Sequence, residues 1–115
     1  MPLLQLQVST PVAEDKQAGL LSALSKVMSE AIGKPERYVM VTLKTGPVLM
    51  SGDAGPGAFA DVRSIGGLNS GVNKQLAQNI CALLQKELGI AGERVFLNFT
   101  DVSAGHWGWN GGTFG

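Results

Sequence analysis

The sequence predicts an α+β domain in which one βαβ unit occurs twice. Each half of the 115-residue chain contains a strand pattern, an amphipathic helix pattern and a second strand pattern in the same order. The two halves also share a signature after the helix: Ile32-Gly33 precedes Glu36-Arg37, and Leu88-Gly89 precedes Glu93-Arg94. Two βαβ units with right-handed crossovers predict a four-stranded mixed sheet that carries both helices on one face.

The first unit occupies residues 2–44. Apolar residues alternate with glutamines over residues 2–8, which predicts a strand. Apolar residues at helical spacing then predict an amphipathic helix from about Ala13 to Ile32, and Gly33 marks its end. The following apolar run predicts a second strand from Arg37 to Lys44.

The second unit repeats this order. Ala58 to Ile65 is predicted to be a strand, a helix that stops at Gly89 follows, and Val95 to Asp101 forms the last strand. The helix is marked by apolar residues at helical spacing, namely Val72, Leu76, Ile80, Leu83, Leu84 and Leu88. We therefore predict a single domain over residues 1–115.

The second face of the predicted sheet needs a cover. Residues 38–43 and 95–99 are nearly continuous apolar runs, which are typical of strands that are covered on both faces. So short a chain has no third layer, and a symmetric homo-oligomer that packs sheet against sheet is the economical solution. The tail from His106 to Gly115 is too rich in glycine for a helix and too aromatic for a solvated end, so we expect it to dock on a neighbouring subunit.

Composition excludes several classes of protein. Nine basic and nine acidic residues cancel without clustering, which argues against a nucleic-acid partner or an anionic membrane partner. The first ten residues lack the basic and long apolar segments of a signal peptide, so we expect a cytoplasmic protein unless an unconventional route exports it. Cys81, the one cysteine, lies on an apolar helical stripe and is predicted to be a buried structural thiol. His106 has no carboxylate cluster beside it, and no metal role is assigned.

Proline directly after Met1 is the most informative single residue. Methionine aminopeptidase needs a small second residue, so Pro2 is expected to become the N-terminus and to carry a secondary amine. An α-amino group titrates at ~7.7 to 8.0, and burial beside another cation lowers that pKa further, which would make Pro2 a general base. The alternative is that Pro2 merely begins an edge strand.

Five short motifs follow one another at compatible spacing. They are Met1-Pro2, Gly33-Lys34-Pro35, Ser64-Ile65-Gly66, Asn98, and Gly108-Trp109-Asn110 with Thr113-Phe114. Together with the duplicated βαβ pattern, they resemble the macrophage migration inhibitory factor family of tautomerases over the whole chain. The resemblance implies a homotrimer in which three sheets form a central barrel, with an active site at each subunit boundary.

The resemblance also implies roles for the first set of site residues. Pro2 would be the catalytic base that moves a proton between the enol oxygen and the α-carbon of a 2-keto acid. Lys34 would lower the pKa of that amine and bind the substrate carboxylate or the developing enolate; the alternative for Lys34 is to stabilise the helix C-terminus. Ile65 would offer its backbone N–H and an apolar wall, and Ser64 a hydroxyl beside it.

Aromatic residues would complete the pocket. Phe96 and Asn98 would reach into the adjoining subunit's pocket, with Phe96 standing where the family usually has a tyrosine. Trp107 stands where the family often has a smaller aliphatic residue. These two departures, at Phe96 and Trp107, leave the substrate preference open. Tyr38, Trp109 and Phe114 would form the rest of the aromatic wall, although core or interface packing is an alternative for each.

Two classes of function follow. The first is a cofactor-independent keto–enol tautomerase for phenylpyruvate-like acids. The second is a cytokine-like signalling or binding module that keeps a vestigial pocket and binds a receptor through the trimer surface. Val12 follows Pro11 where the receptor-binding cytokines have an arginine, and this favours the enzyme. The family's Cys-x-x-Cys pair is replaced by residues 57–60, which excludes thiol–disulfide chemistry. Hydrolytic dehalogenation would need additional pocket arginines, and none stands out.

Overall fold

The computed structural model describes residues 1–115 and confirms the duplicated βαβ architecture. The first unit consists of β1 (Pro2–Val8), α1 (Glu14–Ile32) and β2 (Met40–Thr45), and the second of β3 (Ala58–Ser64), α2 (Ser70–Leu88) and β4 (Val95–Asp101). Three single-turn 3₁₀ helices span Glu36–Tyr38, Gly92–Arg94 and Ala104–His106, and the short strands β5 (Gly108–Trp109) and β6 (Gly112–Thr113) form a hairpin.

The sheet is mixed, with strand order β2-β1-β3-β4. Each unit contributes a parallel pair, β1 with β2 and β3 with β4, and the units join through the antiparallel pair β1 and β3. Alternate residues of each strand face the helices, which pack against each other on that side. The fully buried core combines residues of both strand pairs and both helices, including Leu4, Val62, Leu24, Met28, Leu76, Ile80 and Leu84.

The expected strand from Arg37 to Lys44 is wrong at its start. The backbone N–H of Tyr38 donates to the carbonyl of Pro35 at 3.0 Å, and that of Val39 donates to Glu36 at 2.9 Å, so these residues form a 3₁₀ turn and β2 begins only at Met40. The equivalent turn Gly92–Arg94 precedes β4. The shared Glu-Arg signature therefore marks two turns, and Arg37 and Tyr38 leave the sheet plane.

The face opposite the helices is open in a single chain. The strand register sets its side chains in three rows, which are Met40, Leu3, Arg63 and Thr100; Thr42, Gln5, Asp61 and Asn98; and Lys44, Gln7, Phe59 and Phe96. The rows mix apolar and polar groups. The two apolar runs that were predicted to be covered on both faces therefore place apolar side chains on the open face only in part. Large apolar side chains are nevertheless exposed at the ends of the sheet, with Met40 at 62% and Phe96 at 64%.

The cysteine, the helices and the possible metal ligands add three further observations. Cys81 is half-buried against the core rather than fully buried as predicted, and burial raises the pKa of its thiol. Neither α1 nor α2 combines the length and the apolar character that crossing a bilayer requires. No group of three or more His, Cys, Asp or Glu side chains is arranged to hold a metal ion.

Candidate active site

The chain start lies where several elements converge. β1 is an inner strand, so its first residue is flanked by the start of β2 and by the end of β3. Pro2 is paired with Ser64, and its side chain is fully buried. The end of α1, the turn before β2 and the C-terminal hairpin close around this point and form two cavities.

The two cavities share a wall made by Met1, Tyr38 and Phe114. The first has a volume of about 700 Å³, and its remaining lining is mainly aromatic and aliphatic: Pro2, Leu3, Arg37, Val39, Met40, Trp107, Gly108 and Trp109. The second has a volume of about 460 Å³ and is completed by Lys34, Pro35, Ile65 and Ala104. Met1 lines both cavities, whereas Pro2 lines only the first.

Lys34 reaches the chain start because α1 ends immediately before it. Gly33 takes the left-handed conformation at the helix C-terminus, and the Ser29 hydroxyl donates to the Lys34 carbonyl at 2.6 Å, which fixes the backbone. The Lys34 ammonium leaves the helix end and donates to the carbonyl of Ile65. No carboxylate forms an ion pair with it. The Lys34 side chain thus lines the second cavity, and both of its expected roles stay predictions.

Gly67 packs closely against the end of α1. This residue has φ +79°, and a Cβ built on it would lie 2.7 Å from Cγ2 of Ile32 and 3.6 Å from Cε of Lys34. The first distance is shorter than van der Waals contact allows. Glycine is therefore required both by the backbone conformation and by the close approach of the α1 end.

We expect Gly67→Ala to destabilise the protein by about 2–4 kcal/mol, from left-handed strain and from overlap with Ile32. Gly66→Ala is the matched control, because Gly66 also has a positive φ (+72°) but has nothing within 4 Å of a built Cβ; its expected cost is about 1–2 kcal/mol. Urea unfolding at one protein concentration measures both. Equal losses in the two variants would show that Ile32 moves aside freely.

The electrostatics of the chain start favour a neutral amine. Burial lowers the pKa of the Met1 amine below its ordinary value, and the positive charge of Lys34 lowers it further. An amine with a lowered pKa is unprotonated in a larger fraction of molecules at neutral pH. With Met1 present the Pro2 nitrogen is an amide and has no basic lone pair, so the same environment acts on Pro2 only after Met1 is lost.

Ile65 borders the second cavity beside Lys34. Its carbonyl accepts the Lys34 ammonium, while its backbone N–H has no acceptor within the chain. A free N–H at a cavity wall is available to a ligand oxygen. The structure thus brings Pro2, Lys34 and Ile65 together from three separate segments.

The aromatic wall comes from the C-terminal hairpin. Asn110 and Gly111 both have positive φ, at 50° and 79°, as a tight two-residue hairpin turn requires. The Phe114 N–H donates to the Trp107 carbonyl at 3.2 Å, and the rings of Trp109 and Phe114 stack at 6.0 Å. This hairpin was not predicted from the sequence, although Asn-Gly between aromatic residues is its usual signature. The tail folds onto its own chain, and its docking on a neighbour stays a prediction.

Ser64 needs a correction. It lies on the helix-facing side of β3, alternating with Ala60 and Val62, and it is completely buried. Its hydroxyl donates to the carbonyl of Gly66 at 2.7 Å and lines neither cavity. The expected substrate-facing hydroxyl is therefore replaced by a structural one that fixes the turn after β3.

Phe96 and Asn98 are not near Pro2 within one chain. Across the sheet Phe96 pairs with Phe59, which pairs with Gln7, five residues along β1 from Pro2; five strand residues span about 16 Å. Both side chains lie on the open face, where the Asn98 amide donates to the Thr100 hydroxyl at 2.9 Å. Their contribution to an adjoining subunit's site stays a prediction.

Arg37 lines a cavity, although it was not among the site residues predicted from the sequence. Its guanidinium lies 4.6 Å from the centroid of the Tyr38 ring and 3.3 Å from the Tyr38 hydroxyl oxygen, and it lines the first cavity. The Glu36-Arg37 pair was noticed only as a repeat signature. The one available indication was its position in the segment directly after the Gly-Lys-Pro motif.

The two βαβ units and their four-stranded mixed sheet define the class: the fold is that of the tautomerase superfamily. The chain belongs to the macrophage migration inhibitory factor family, whose model matches residues 1–115. The macrophage migration inhibitory factor of Rattus norvegicus is 33% identical over 115 residues, which cover 99% of each chain.

Solved structures agree with this assignment. A macrophage migration inhibitory factor homologue from Prochlorococcus marinus is 38% identical with a TM-score of 0.93, covering 98% of this chain and 99% of that chain. A macrophage migration inhibitory factor-like protein from Entamoeba histolytica is 32% identical with a TM-score of 0.94, covering 98% of both chains. The fold predicted from the sequence is thereby confirmed.

Proposed function

We propose that the protein is a keto–enol tautomerase for phenylpyruvate-like 2-keto acids, with the Pro2 amine as general base and no cofactor. The observation that carries the proposal is the chain start itself: Pro2 is fully buried, the neighbouring Lys34 ammonium has no ion-pair partner, and the Met1 amine there has a lowered pKa. Membership of the macrophage migration inhibitory factor family supports the same function.

The reaction needs one base and one group that stabilises negative charge. The neutral Pro2 nitrogen removes a proton from the α-carbon, so that a C–H bond breaks, an N–H bond forms and charge moves to the keto oxygen. The Lys34 ammonium and the Ile65 N–H stabilise the enolate and hold the carboxylate. The protonated amine then delivers the same proton to oxygen, which gives the enol and restores the neutral base. The reverse sequence converts the enol to the ketone.

The first cavity is suited to the substrate's ring. Trp107, Tyr38, Trp109 and Phe114 form a mainly apolar wall beside the reacting end. Aromatic side chains bind a phenyl ring through burial and through stacked or edge-on ring contacts. This division of the site, with a polar end at Lys34 and an aromatic end at Trp107, supports an arylpyruvate rather than a short aliphatic keto acid.

The proposal requires that Met1 be removed. We expect protein with Pro2 as N-terminus to tautomerise phenylpyruvate, and protein that retains Met1 to lose nearly all of that activity, because an amide nitrogen is not a base. Intact mass identifies the N-terminus of each preparation, and the ketonisation rate is measured on the same samples. Equal activity with and without Met1 would exclude the Pro2 mechanism.

A homotrimer is the second part of the proposal. The open sheet face carries exposed Met40, Phe59 and Phe96, and Phe96 and Asn98 lie on the edge strand β4, where the proposed trimer would place a neighbouring subunit. We expect sedimentation equilibrium to give three times the chain mass of 12.0 kDa. A stable monomer at micromolar concentration would contradict the shared site.

A signalling or binding role is the second candidate function. The names of the animal relatives favour it, since they are macrophage migration inhibitory factors of similar length. A receptor partner would bind the outside of the trimer. The two candidates separate experimentally, because a pocket variant such as Pro2→Gly would strongly lower the tautomerisation rate and leave surface binding intact.

A further inference from the structure

The charged groups around the two cavities all have the same sign. Lys34 lines the second cavity and Arg37 lines the first, and none of the nine acidic residues of the chain lines either. The wall between them is formed by Met1, Tyr38 and Phe114. With Met1 removed, the site is an aromatic chamber with a cation in each half. Such a field favours an anion at each end of the ligand.

The duplication of the fold supplies an internal comparison for Arg37. The equivalent 3₁₀ turn of the second unit also contains an arginine, Arg94, one position later than Arg37 and aligned with Tyr38. Arg94 donates to four backbone carbonyls at 2.8–3.1 Å and lies 3.6 Å from the Asp53 carboxylate. Arg94 therefore has a complete set of partners and serves to hold the loop before β3.

Arg37 has no such partners. Its only hydrogen bond within the chain goes to the Tyr38 hydroxyl, and it forms no ion pair, whereas Arg63 pairs with Asp61 and Arg94 with Asp53. A guanidinium has five N–H donors, and most of those on Arg37 are free. Stacking over the Tyr38 ring at 4.6 Å restricts where the planar group lies without using its donors.

We propose that Arg37 is a substrate-binding residue that selects aromatic 2-keto acids carrying a second anionic group at the far end of the ring. The proposal rests on the proposed function, because it assumes that the keto-acid end lies at Pro2 and Lys34. A carboxylate on the ring meets the planar donors of Arg37 in a geometry that permits paired hydrogen bonds, which an ammonium does not offer. The aromatic wall holds the ring between the two cations.

The kinetic test compares 4-carboxyphenylpyruvate with phenylpyruvate. We expect the wild-type protein to prefer the dianion, and Arg37→Met to reduce the ratio of the two kcat/KM values about ten-fold, the lower end for a charged hydrogen bond because the side chain is solvent-exposed. Arg37→Lys should lose part of the ratio. Lys74→Met removes one charge from the exposed surface of α2, lines neither cavity, and should leave the ratio unchanged.

A binding test separates this proposal from the proposed function. Both tryptophans of the chain line the first cavity, so their fluorescence reports occupancy by the unreactive acids 4-carboxyphenylacetate and phenylacetate. We expect tighter binding of the dicarboxylate by about ten-fold, and a ratio near one in Arg37→Met. If the wild-type protein turns over phenylpyruvate but shows no preference for the dicarboxylate, the Arg37 role is overturned and the tautomerase stands. A preference that persists in Arg37→Met would overturn the Arg37 role as well. An inactive protein that shows the Arg37-dependent preference would overturn the tautomerase and leave the anion site in place.

Discussion

Pro2→Gly is expected to lower kcat/KM for phenylpyruvate by about 100-fold or more, within the range that a positioned general base contributes. Glycine also follows Met1 as a small residue, so the variant still exposes an amine. That amine is primary, and it lacks the ring that packs into the fully buried Pro2 position at the start of β1. The base therefore loses its fixed position more than its basicity.

The matched control for this variant is Pro11→Gly. Pro11 is exposed, lies between β1 and α1 and lines neither cavity. It should retain wild-type kcat/KM, and both variants should keep the wild-type circular dichroism spectrum. A rate for Pro2→Gly within about two-fold of wild type, a difference well below the contribution of a general base, would remove Pro2 from the mechanism.

The same base sets the pH profile. The amine is active when neutral, so kcat/KM should fall as the pH drops below the amine pKa. Burial and the charge of Lys34 lower the pKa of the Met1 amine, and we expect the same two causes to act on the processed Pro2 amine. The fall should then begin at a lower pH than for an ordinary α-amino group. An acid limb at the pH expected for an unperturbed amine would mean that processed Pro2 does not inherit the environment seen at the chain start.

Much of the fold was predictable because periodicity is a local property. The alternation in β1 and the helical spacing in α1 and α2 place apolar residues on one face, and their burial follows. The start of β2 was not predictable in this way. Tyr38 and Val39 extend an apolar run. Their 3₁₀ hydrogen bonds to Pro35 and Glu36 remove them from the strand, and no hydrophobic periodicity in the sequence indicates these bonds.

The site was predictable only through the family resemblance. Pro2, Lys34 and Ile65 lie far apart along the chain, and no spacing rule connects them; the sheet register and the end of α1 bring them together. Ser64 shows the reverse case. Its alternation with Val62 in β3 already indicated the helix-facing side, so its burial followed from the pattern more directly than the role taken from the resemblance.

Duplication separates structural residues from site residues in this fold. The two units supply equivalent turns, and Arg94 shows what the turn arginine does when its donors are satisfied within the chain. Arg37 lies one position earlier in the equivalent turn of the first unit, whose strand carries the chain start, and it has none of those partners. Comparing the repeats within one chain thus identifies an unsatisfied cation that composition and spacing did not.

The environment of the amine makes Lys34 the residue whose replacement should be most informative about pH. We expect Lys34→Met to lower kcat/KM for phenylpyruvate at neutral pH by about 100-fold or more, the usual effect of losing one group that stabilises an oxyanion. The substrate carboxylate and the developing enolate would both lose their cation. The backbone at Lys34 should remain in place, because its main-chain carbonyl accepts from the Ser29 hydroxyl and its main-chain N–H donates to the Ser29 carbonyl.

The acid limb of the profile distinguishes the two effects of Lys34. Its positive charge disfavours the protonated amine, so Lys34→Met should raise the amine pKa and move the acid limb to higher pH, while the larger effect of burial remains. Lys34→Arg keeps the charge and should keep the limb near its wild-type position, with a partial loss of rate from the different donor geometry. The amine pKa itself can be followed by NMR of labelled proline in all three proteins. An unchanged limb in Lys34→Met, together with a large rate loss, would mean that Lys34 binds the substrate anion but does not tune the base.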